Sequence, residues 1–178
     1  MRIISGKYKG KRLIAPAKLP VRPTTDFAKE ALFNILNNQF YFEQLQVMDL
    51  FAGTGNISFE FASRGAKQVT AVDAHYACIK YISKVKQELS FPITPVKSDV
   101  FSYLEKTLLK ATIIFADPPY DFTKESFAKI PELVQERNLL LEQGSLIIEH
   151  SKHTDLSDLD GFLIQRKYGG TIFSFFEF

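Results

Sequence analysis

The tetrapeptide Asp117-Pro118-Pro119-Tyr120 places a carboxylate, two prolines and an aromatic ring directly after a short apolar run. Two consecutive prolines fix two φ angles and remove two backbone N–H donors, so the loop presents mainly acceptors. Such a loop suits a substrate that only donates, such as the exocyclic NH2 group of a base. Asp117 and the carbonyl of Pro118 or Pro119 would hold the amine hydrogens, with the nitrogen lone pair facing a methyl sulfonium. The ring of Tyr120 offers a stacking surface for the base. The alternative is a simple turn that ends a strand.

A second motif, Asp49-Leu50-Phe51-Ala52-Gly53-Thr54-Gly55, ends a predicted strand and opens a predicted helix. Glycines at such a turn let the backbone approach a ligand closely, and the helix N-terminus adds free N–H groups. A dinucleotide fingerprint would need a third glycine where Ser58 stands, and the Gly-Lys-Ser/Thr of a phosphate loop is missing. The Asp49 carboxylate would oppose a pyrophosphate but suits the ammonium group of a methionine-type ligand. A tight turn without a ligand is the alternative interpretation.

Two further carboxylates end the next two predicted strands. Asp73 lies 18 residues after Gly55, and Asp99 follows Ser98 at the end of the third strand. At the carboxyl ends of parallel strands, Asp73 could accept hydrogen bonds from ribose hydroxyls and Asp99 could meet an adenine ring. Together with Asp49, these residues place a carboxylate at the end of three successive strands, a pattern that packing alone does not explain. The predicted cofactor site comprises Asp49, Phe51, Ala52, Gly53, Thr54, Gly55, Asp73, Ala74, Asp99 and Val100.

Strand and helix patterns alternate along most of the chain. The predicted strands are Gln46–Phe51, Gln68–Asp73, Ile93–Lys97, Thr112–Ala116 and Ser145–His150. The predicted helices cover residues 26–40, 56–64, 75–89, 100–110 and 124–137. The tail predicts a hairpin of Gly161–Tyr168 and Thr171–Phe178 around Gly169-Gly170. The pattern predicts an α/β fold, with a seven-stranded, mostly parallel sheet, helices on both faces and a terminal antiparallel hairpin.

The N-terminal segment differs from the rest in charge. Residues 1–30 hold eight Lys or Arg against two acidic residues, a balance of +6, whereas the remaining 148 hold 14 basic and 18 acidic residues, a balance of −4. The stretches Arg2–Ser5 and Tyr8–Ala15 flank Gly6-Lys7 and predict a small β-hairpin, followed by a proline-rich linker. We therefore expect two parts: residues 1–25 as a basic appendage and residues 26–178 as the main domain. The charge favours a nucleic-acid partner, with a solvated lysine-rich hairpin as the alternative.

Composition narrows the class of protein. The single Cys78 excludes an internal disulfide and fits a reducing cytosol. No apolar run approaches the roughly 18 residues of a membrane span, and the N-terminus lacks a signal-peptide pattern. We expect a cytoplasmic monomer that binds neither membrane nor metal.

The two motifs together resemble the class I, Rossmann-like methyltransferases that modify amino nitrogens. The N-terminal blocks Met1–Gly10, Arg22–Asp26 and Glu30–Leu36 are more specific, and they resemble the bacterial 16S rRNA guanine-N2 methyltransferase family. The resemblance spans nearly the whole chain, including Glu149. The tetrapeptide is shared with DNA adenine methyltransferases, so the N-terminal blocks carry the substrate assignment. One departure is that many relatives have an Asn near Ser83, which this chain lacks.

That resemblance implies a class I methyltransferase fold, S-adenosylmethionine as cofactor and the exocyclic N2 amine of a 16S rRNA guanine as acceptor. It also implies that the partner is ribosomal RNA within the small subunit. The residues expected at RNA phosphates are Lys7, Lys9, Lys11, Arg12 and Arg22. Three alternatives stay open: adenine-N6 methylation of DNA or RNA, methylation of a protein glutamine amide, and a non-catalytic RNA-binding module.

Overall fold

A computed structural model describes residues 1–16, 24–119 and 121–178. Arg22 and Tyr120, both predicted site residues, lie outside the described part. The helices are α1 Asp26–Asn37, α2 Asn56–Ser63, α3 Tyr76–Leu89, α4 Val100–Lys106 and α5 Lys124–Glu136, with a 3-10 turn at Phe42–Gln44. The strands are β1 Gln46–Leu50, β2 Gln68–Asp73, β3 Ile93–Lys97, β4 Ala111–Ala116, β5 Leu140–Ser151, β6 Phe162–Tyr168 and β7 Thr171–Phe176.

The seven strands form one sheet in the order β3-β2-β1-β4-β5-β7-β6. The first five are parallel, whereas β7 is antiparallel to β5 and to β6. The chain moves outward from β1 to β3 and then returns to the other side of β1 with β4. This reversal opens a crevice at the carboxyl ends of β1 and β4, where open α/β sheets bind ligands. The predicted mostly parallel sheet with a terminal antiparallel hairpin is confirmed.

Helices cover both faces of the sheet, each over its own hydrophobic core. One face packs against α1, α2 and α3, with Leu32, Phe61 and Ile82 fully buried. The other packs against α4 and α5, where Leu104 and Ile130 are fully buried. The parallel strands are apolar on both sides for this reason. The aromatic tail belongs to the same cores, since its buried members are Phe173, Phe175 and Phe176.

The fifth strand begins five residues earlier than the sequence pattern predicts. Ala111 pairs with Leu140, but Ile113 pairs with Ser145, so the ladder between β4 and β5 contains a bulge. Gln143 within the bulge has a φ of 60°. The prediction began at Ser145 because an irregular polar segment interrupts the apolar pattern, although the strand continues through it.

The N-terminal segment pairs with itself less extensively than predicted. An antiparallel bridge joins Arg2 to Arg12, and the segment between them forms a loop from Ile4 to Gly10. The two predicted stretches therefore do not pair up to Gly6-Lys7; a longer loop closed by the Arg2–Arg12 bridge replaces that part of the predicted hairpin. The physical reason lies in α2, because the Glu60 carboxylate accepts hydrogen bonds from the N–H groups of Ile4 (2.8 Å) and Ser5 (3.0 Å). The N–H groups of Ile4 and Ser5 are therefore bonded to α2 and are not available to pair with a second strand.

The described residues contain no helix that is long and apolar enough to cross a membrane. They likewise contain no group of three or more His, Cys, Asp or Glu residues arranged to hold a metal ion.

Candidate functional site

A cavity of about 560 Å³ opens at the carboxyl ends of β1, β2 and β4. The structure brings both predicted motifs to it. Predicted cofactor residues in its lining are Asp49, Phe51, Ala52, Gly53, Thr54, Asp73, Ala74, Asp99 and Val100. From the proline motif it is lined by Asp117, Pro118 and Pro119. The two motifs are far apart in sequence, and they meet at one opening because β1 and β4 are neighbours in the sheet.

The glycine turn between β1 and α2 depends on left-handed backbone. Phe51, Gly53 and Gly55 have φ values of 58°, 54° and 77°. Gly55 is the predicted cofactor residue that does not line the cavity. A Cβ on Gly55 would lie 2.9 Å from the Ile82 Cγ1 atom and 2.9 Å from the Phe59 ring, so this glycine lets α2 pack closely on α3. Gly53 alone of the two glycines faces the cavity.

The Asp73 carboxylate is oriented by backbone donors on both sides. Oδ2 accepts from the Gly53 N–H (2.8 Å) and Oδ1 from the His75 N–H (2.7 Å). Asp73 is buried and yet lines the cavity. Asp99 differs because it is exposed at the rim, where it caps α4 by accepting from the Ser102 N–H (2.9 Å). The two carboxylates therefore lie at the wall and the rim of one opening.

Asp49 lies at the floor of the site. Its Oδ2 atom accepts hydrogen bonds from both the backbone N–H and the hydroxyl of Ser58 in the first turn of α2. The side chain is 2% exposed, and burial raises the pKa of Asp49 to about 7, although the bonds from Ser58 lower it. Burial opposes the ionised form because a charge loses its hydration in the interior. A cation in the cavity would offset that loss.

Asp117 follows β4 directly and faces two other carboxyl groups. Burial raises its pKa well above the ordinary value, and the nearby Glu149 and Asp49 raise it further. In the loop that follows, the Pro119 carbonyl accepts from the Phe122 N–H (3.1 Å). A carbonyl oxygen has two lone pairs, so this bond leaves Pro119 able to accept a second one, and Pro118 becomes the first candidate for the amine.

Four other lining residues were not predicted from sequence: Asn56, Ile57, His75 and Phe122. A fifth, Thr24, belongs to the Arg22–Thr25 segment, which the resemblance places near the mouth of the site without a specified role. Phe122 is the largest of them, and its ring packs edge-on against Phe51 (5.5 Å between centroids) and stacks on Phe101 (6.1 Å). In the sequence, only the closeness of Phe122 to the proline motif indicates that it could line the site. Because the chain contains 17 phenylalanines, many of which are expected in the core, that indication is weak.

The basic residues of the N-terminal loop are exposed but extend away from the cavity. Lys7 donates its backbone N–H to the Ser63 carbonyl (2.7 Å) at the end of α2, and the Tyr8 hydroxyl donates to the Leu89 carbonyl (2.8 Å) at the end of α3. Both helices begin at the cavity edge of the sheet and end at the opposite edge. The backbone of Arg12 forms the antiparallel bridge with Arg2. This bridge lies nearer the cavity, because Lys29 donates both to the Arg2 carbonyl and to Asn56 in the cavity lining. The exposed basic residues Lys7, Lys9, Lys11 and Arg12 thus run alongside α2.

Comparison with known proteins adds a family model and close relatives. The family model described as Conserved hypothetical protein 95 matches residues 1–177. YlbH of Bacillus subtilis (strain 168), named as a candidate rRNA methyltransferase, is 33% identical over 94% of this chain and 91% of its own length. The ribosomal RNA small subunit methyltransferase D of Buchnera aphidicola subsp. Baizongia pistaciae is 30% identical over 84% of this chain and 75% of its own length.

Solved structures share the fold. The methyltransferase yhhF from Escherichia coli, itself named as a candidate, superposes with a TM-score of 0.86 at 24% identity over 99% of this chain and 96% of that one. The 16S rRNA N2 G1207 methyltransferase of T. thermophilus, in complex with AdoMet and guanosine, superposes with a TM-score of 0.69 at 21% identity. That match covers 89% of this chain and 45% of that one. These likenesses confirm the predicted Rossmann-like class I methyltransferase fold.

Proposed function

We propose that this chain, which belongs to the Conserved hypothetical protein 95 family together with the ribosomal RNA small subunit methyltransferases D, transfers a methyl group from S-adenosylmethionine to ribosomal RNA. The finer proposal is that the acceptor is the exocyclic N2 amine of a guanine in the 16S rRNA. One observation carries the proposed methyl transfer: the glycine turn and the Asp-Pro-Pro loop line the same cavity, with Asp117 at its wall. The guanine acceptor is supported separately, by the resemblance of the N-terminal blocks, and the small-subunit RNA by the relatives named ribosomal RNA small subunit methyltransferase D.

The cavity fits S-adenosylmethionine by its charge. Among the described lining residues are four carboxylates and neither a lysine nor an arginine, which suits a cation and opposes a pyrophosphate. In this proposal the ammonium end lies near Asp49, the ribose hydroxyls near Asp73 and the adenine near Asp99 and Val100. Gly53 allows the close approach of the backbone at the centre. When bound, S-adenosylmethionine supplies an electrophilic methyl group on a sulfonium.

Asp117 and Pro118 are the proposed amine-holding pair. The Asp117 carboxyl and the Pro118 carbonyl would each accept one hydrogen of the amine, which turns the nitrogen lone pair toward the methyl group. Asp117 would also take the proton that the methylated nitrogen releases. Tyr120, which the structure does not describe, and Phe122 would supply aromatic surface for the base.

Product analysis tests the function. Purified protein, labelled S-adenosylmethionine and small ribosomal subunits that lack the modification are incubated, and the RNA is digested for mass analysis of the labelled nucleoside. We expect N2-methylguanosine. Naked 16S rRNA and adenine-containing DNA duplexes run in parallel. N6-methyladenosine from any substrate would contradict the guanine assignment, and a complete lack of label would contradict the enzyme assignment.

The N-terminal loop with Lys7, Lys9, Lys11 and Arg12, called the basic loop below, is the proposed contact with RNA phosphates. In this proposal the RNA lies along α2, whose eight residues span roughly 12 Å. Neutralising Lys7, Lys9, Lys11 and Arg12 to glutamine is expected to weaken RNA binding and reduce the slope of log K against log salt by up to about 0.7–0.9 per lost contact. Binding titrations at several salt concentrations measure both.

The matched control for the loop variant neutralises Lys106, Lys110, Lys129 and Arg137, which are exposed around α4 and α5 on the opposite face of the sheet. It removes the same number and types of charge and should leave the slope close to that of the wild type. Equal slopes for the two variants would show that the basic loop is ordinary surface.

A further inference from the structure

A buried hydrogen bond joins Thr24, just before α1, to Glu149 in β5. The Thr24 hydroxyl donates to Glu149 Oε2 over 2.8 Å, although the residues are 125 positions apart in sequence. Thr24 is 8% exposed and Glu149 is 4% exposed. Thr24 also lines the cavity. A hydroxyl in the cavity wall is therefore tied to a carboxyl group that lies behind it.

Glu149 is the sheet neighbour of Asp117. Ala116 in β4 pairs with Ile148 in β5, so Asp117 and Glu149 are the next residues along two adjacent parallel strands. Side chains at equivalent positions of neighbouring strands point to the same face of a sheet. Burial raises the pKa of both carboxyls, to about 7 for Glu149, and Glu149 raises that of Asp117 further. Two carboxyls placed in this way, Glu149 buried and Asp117 half-buried, share a proton more readily than they both ionise.

Thr24 is itself held in place by the core beneath α1. Its backbone carbonyl accepts from Asn56 Nδ2 (3.1 Å), and Asn56 Oδ1 accepts from the Lys29 ammonium (2.8 Å). The same ammonium donates to the Arg2 carbonyl (2.6 Å). Since Thr24 is fixed through its backbone, its hydroxyl can orient the carboxyl of Glu149.

We propose that Thr24 and Glu149 are positioning residues for methyl transfer, with Thr24 fixing Glu149 so that Glu149 and Asp117 jointly receive the proton that the amine releases. The inference rests on the proposed function. In that step the nitrogen lone pair forms the N–C bond, and the C–S bond breaks with its electron pair left on sulfur. The product nitrogen then loses one proton to Asp117. The two carboxyls begin the step with one proton and end with two, and the extra proton passes to water when the product leaves.

Two isosteric variants test the inference. Thr24→Val and Glu149→Gln are each expected to lower kcat by about 10–100-fold. This is less than the roughly 10²–10⁴-fold that a positioned proton acceptor contributes, because Asp117 remains in place. The dissociation constant for S-adenosylmethionine and the KM for small subunits should stay within about twofold of the wild-type values. Thr24→Ser keeps the hydroxyl and should restore kcat to within about twofold of the wild type.

A double variant and a neighbouring control separate positioning from folding. Because Thr24 acts through Glu149, the double variant Thr24→Val with Glu149→Gln should be no slower than Glu149→Gln alone. Thr25→Val makes the same chemical change at the adjacent residue. The Thr25 hydroxyl accepts a hydrogen bond from the Ala28 N–H and so caps the N-terminus of α1. Loss of that cap should lower the melting temperature by about 2–4 °C and leave kcat unchanged.

The outcomes are distinct. A wild-type protein that methylates small subunits, with kcat of Thr24→Val and Glu149→Gln within twofold of it, would overturn this inference and leave the proposed function intact. Losses that multiply in the double variant, or a Thr24→Ser variant as slow as Thr24→Val, would also overturn it. A wild-type protein without any methyl transfer to RNA would instead remove the proposed function on which the inference rests.

Discussion

Replacement of Asp117 by alanine is expected to lower kcat by about 10³-fold while the affinity for S-adenosylmethionine changes by less than about twofold. The carboxyl group is one of the two proposed acceptors for the amine hydrogens and the first acceptor of the released proton. Its removal leaves the nitrogen lone pair unoriented. The glycine turn and the Asp73 contacts with Gly53 and His75 do not involve Asp117, so the cofactor side of the cavity should be preserved.

The measurement pairs single-turnover methyl transfer with calorimetry of cofactor binding. The Asp117→Asn variant separates the two roles of this residue, since its amide keeps an acceptor oxygen but cannot take a proton. Loss of folding is not expected to interfere, because burial and the neighbouring carboxyls Glu149 and Asp49 already oppose the ionised form of Asp117. The melting temperature of the alanine variant near neutral pH should therefore equal or exceed that of the wild type. Wild-type turnover by the alanine variant would refute the amine-holding mechanism.

The second large effect concerns stability. Replacement of Lys29 by methionine is expected to lower the free energy of unfolding by about 3 kcal/mol, a large part of the total for a domain of this kind. This is the lower end of the range for breaking a buried ion pair, because Arg64 still pairs with Glu60 at 2.8 Å. The Lys29 side chain is 1% exposed, and its ammonium lies 3.7 Å from the Glu60 carboxylate, which is fully buried. Burial lowers the pKa of Lys29, whereas Glu60 raises it. Methionine would fill the volume but leave the carbonyls of Arg2 and Asn56 without this donor.

Urea unfolding of Lys29→Met against Lys84→Met measures this effect. Lys84 also lies near a glutamate, at 3.8 Å from Glu88, but both side chains are more than half exposed. Loss of such a surface pair costs about 0.5 kcal/mol or less. A similar change in both variants would mean that the buried ammonium contributes no more than an exposed one. A change confined to Lys29→Met would assign the stabilisation to the network between the N-terminal segment and α2.

Local sequence is enough to predict which carboxylates line one cavity. Asp49, Asp73, Asp99 and Asp117 each lie within two residues of the end of a strand, and parallel strands bring their carboxyl ends to one edge of the sheet. Contacts made at long range could not be read in the same way. The sequence offers no role for Glu149, because its partner Thr24 lies 125 positions away.

The errors have the same origin. The hairpin around Gly6-Lys7 was predicted from nearby residues, but Glu60, more than 50 positions later, captures the backbone of Ile4 and Ser5. Gly55 looked like part of a ligand-binding turn, although close packing of Ile82 and Phe59 also requires a glycine there. A residue type alone does not separate these two requirements.

The order of strands places β3 and β6 at the two edges of the sheet. An edge strand has unpaired backbone N–H and C=O groups, to which a strand of another molecule could bind and so extend the sheet. The composition of both strands discourages such growth. Pro95 in β3 has no N–H to offer, and β6 carries the exposed charges of Arg166 and Lys167. An apolar, twisted sheet of this size would otherwise invite aggregation. We therefore expect these residues to oppose strand addition at both edges, although β6 also exposes Leu163 and Ile164.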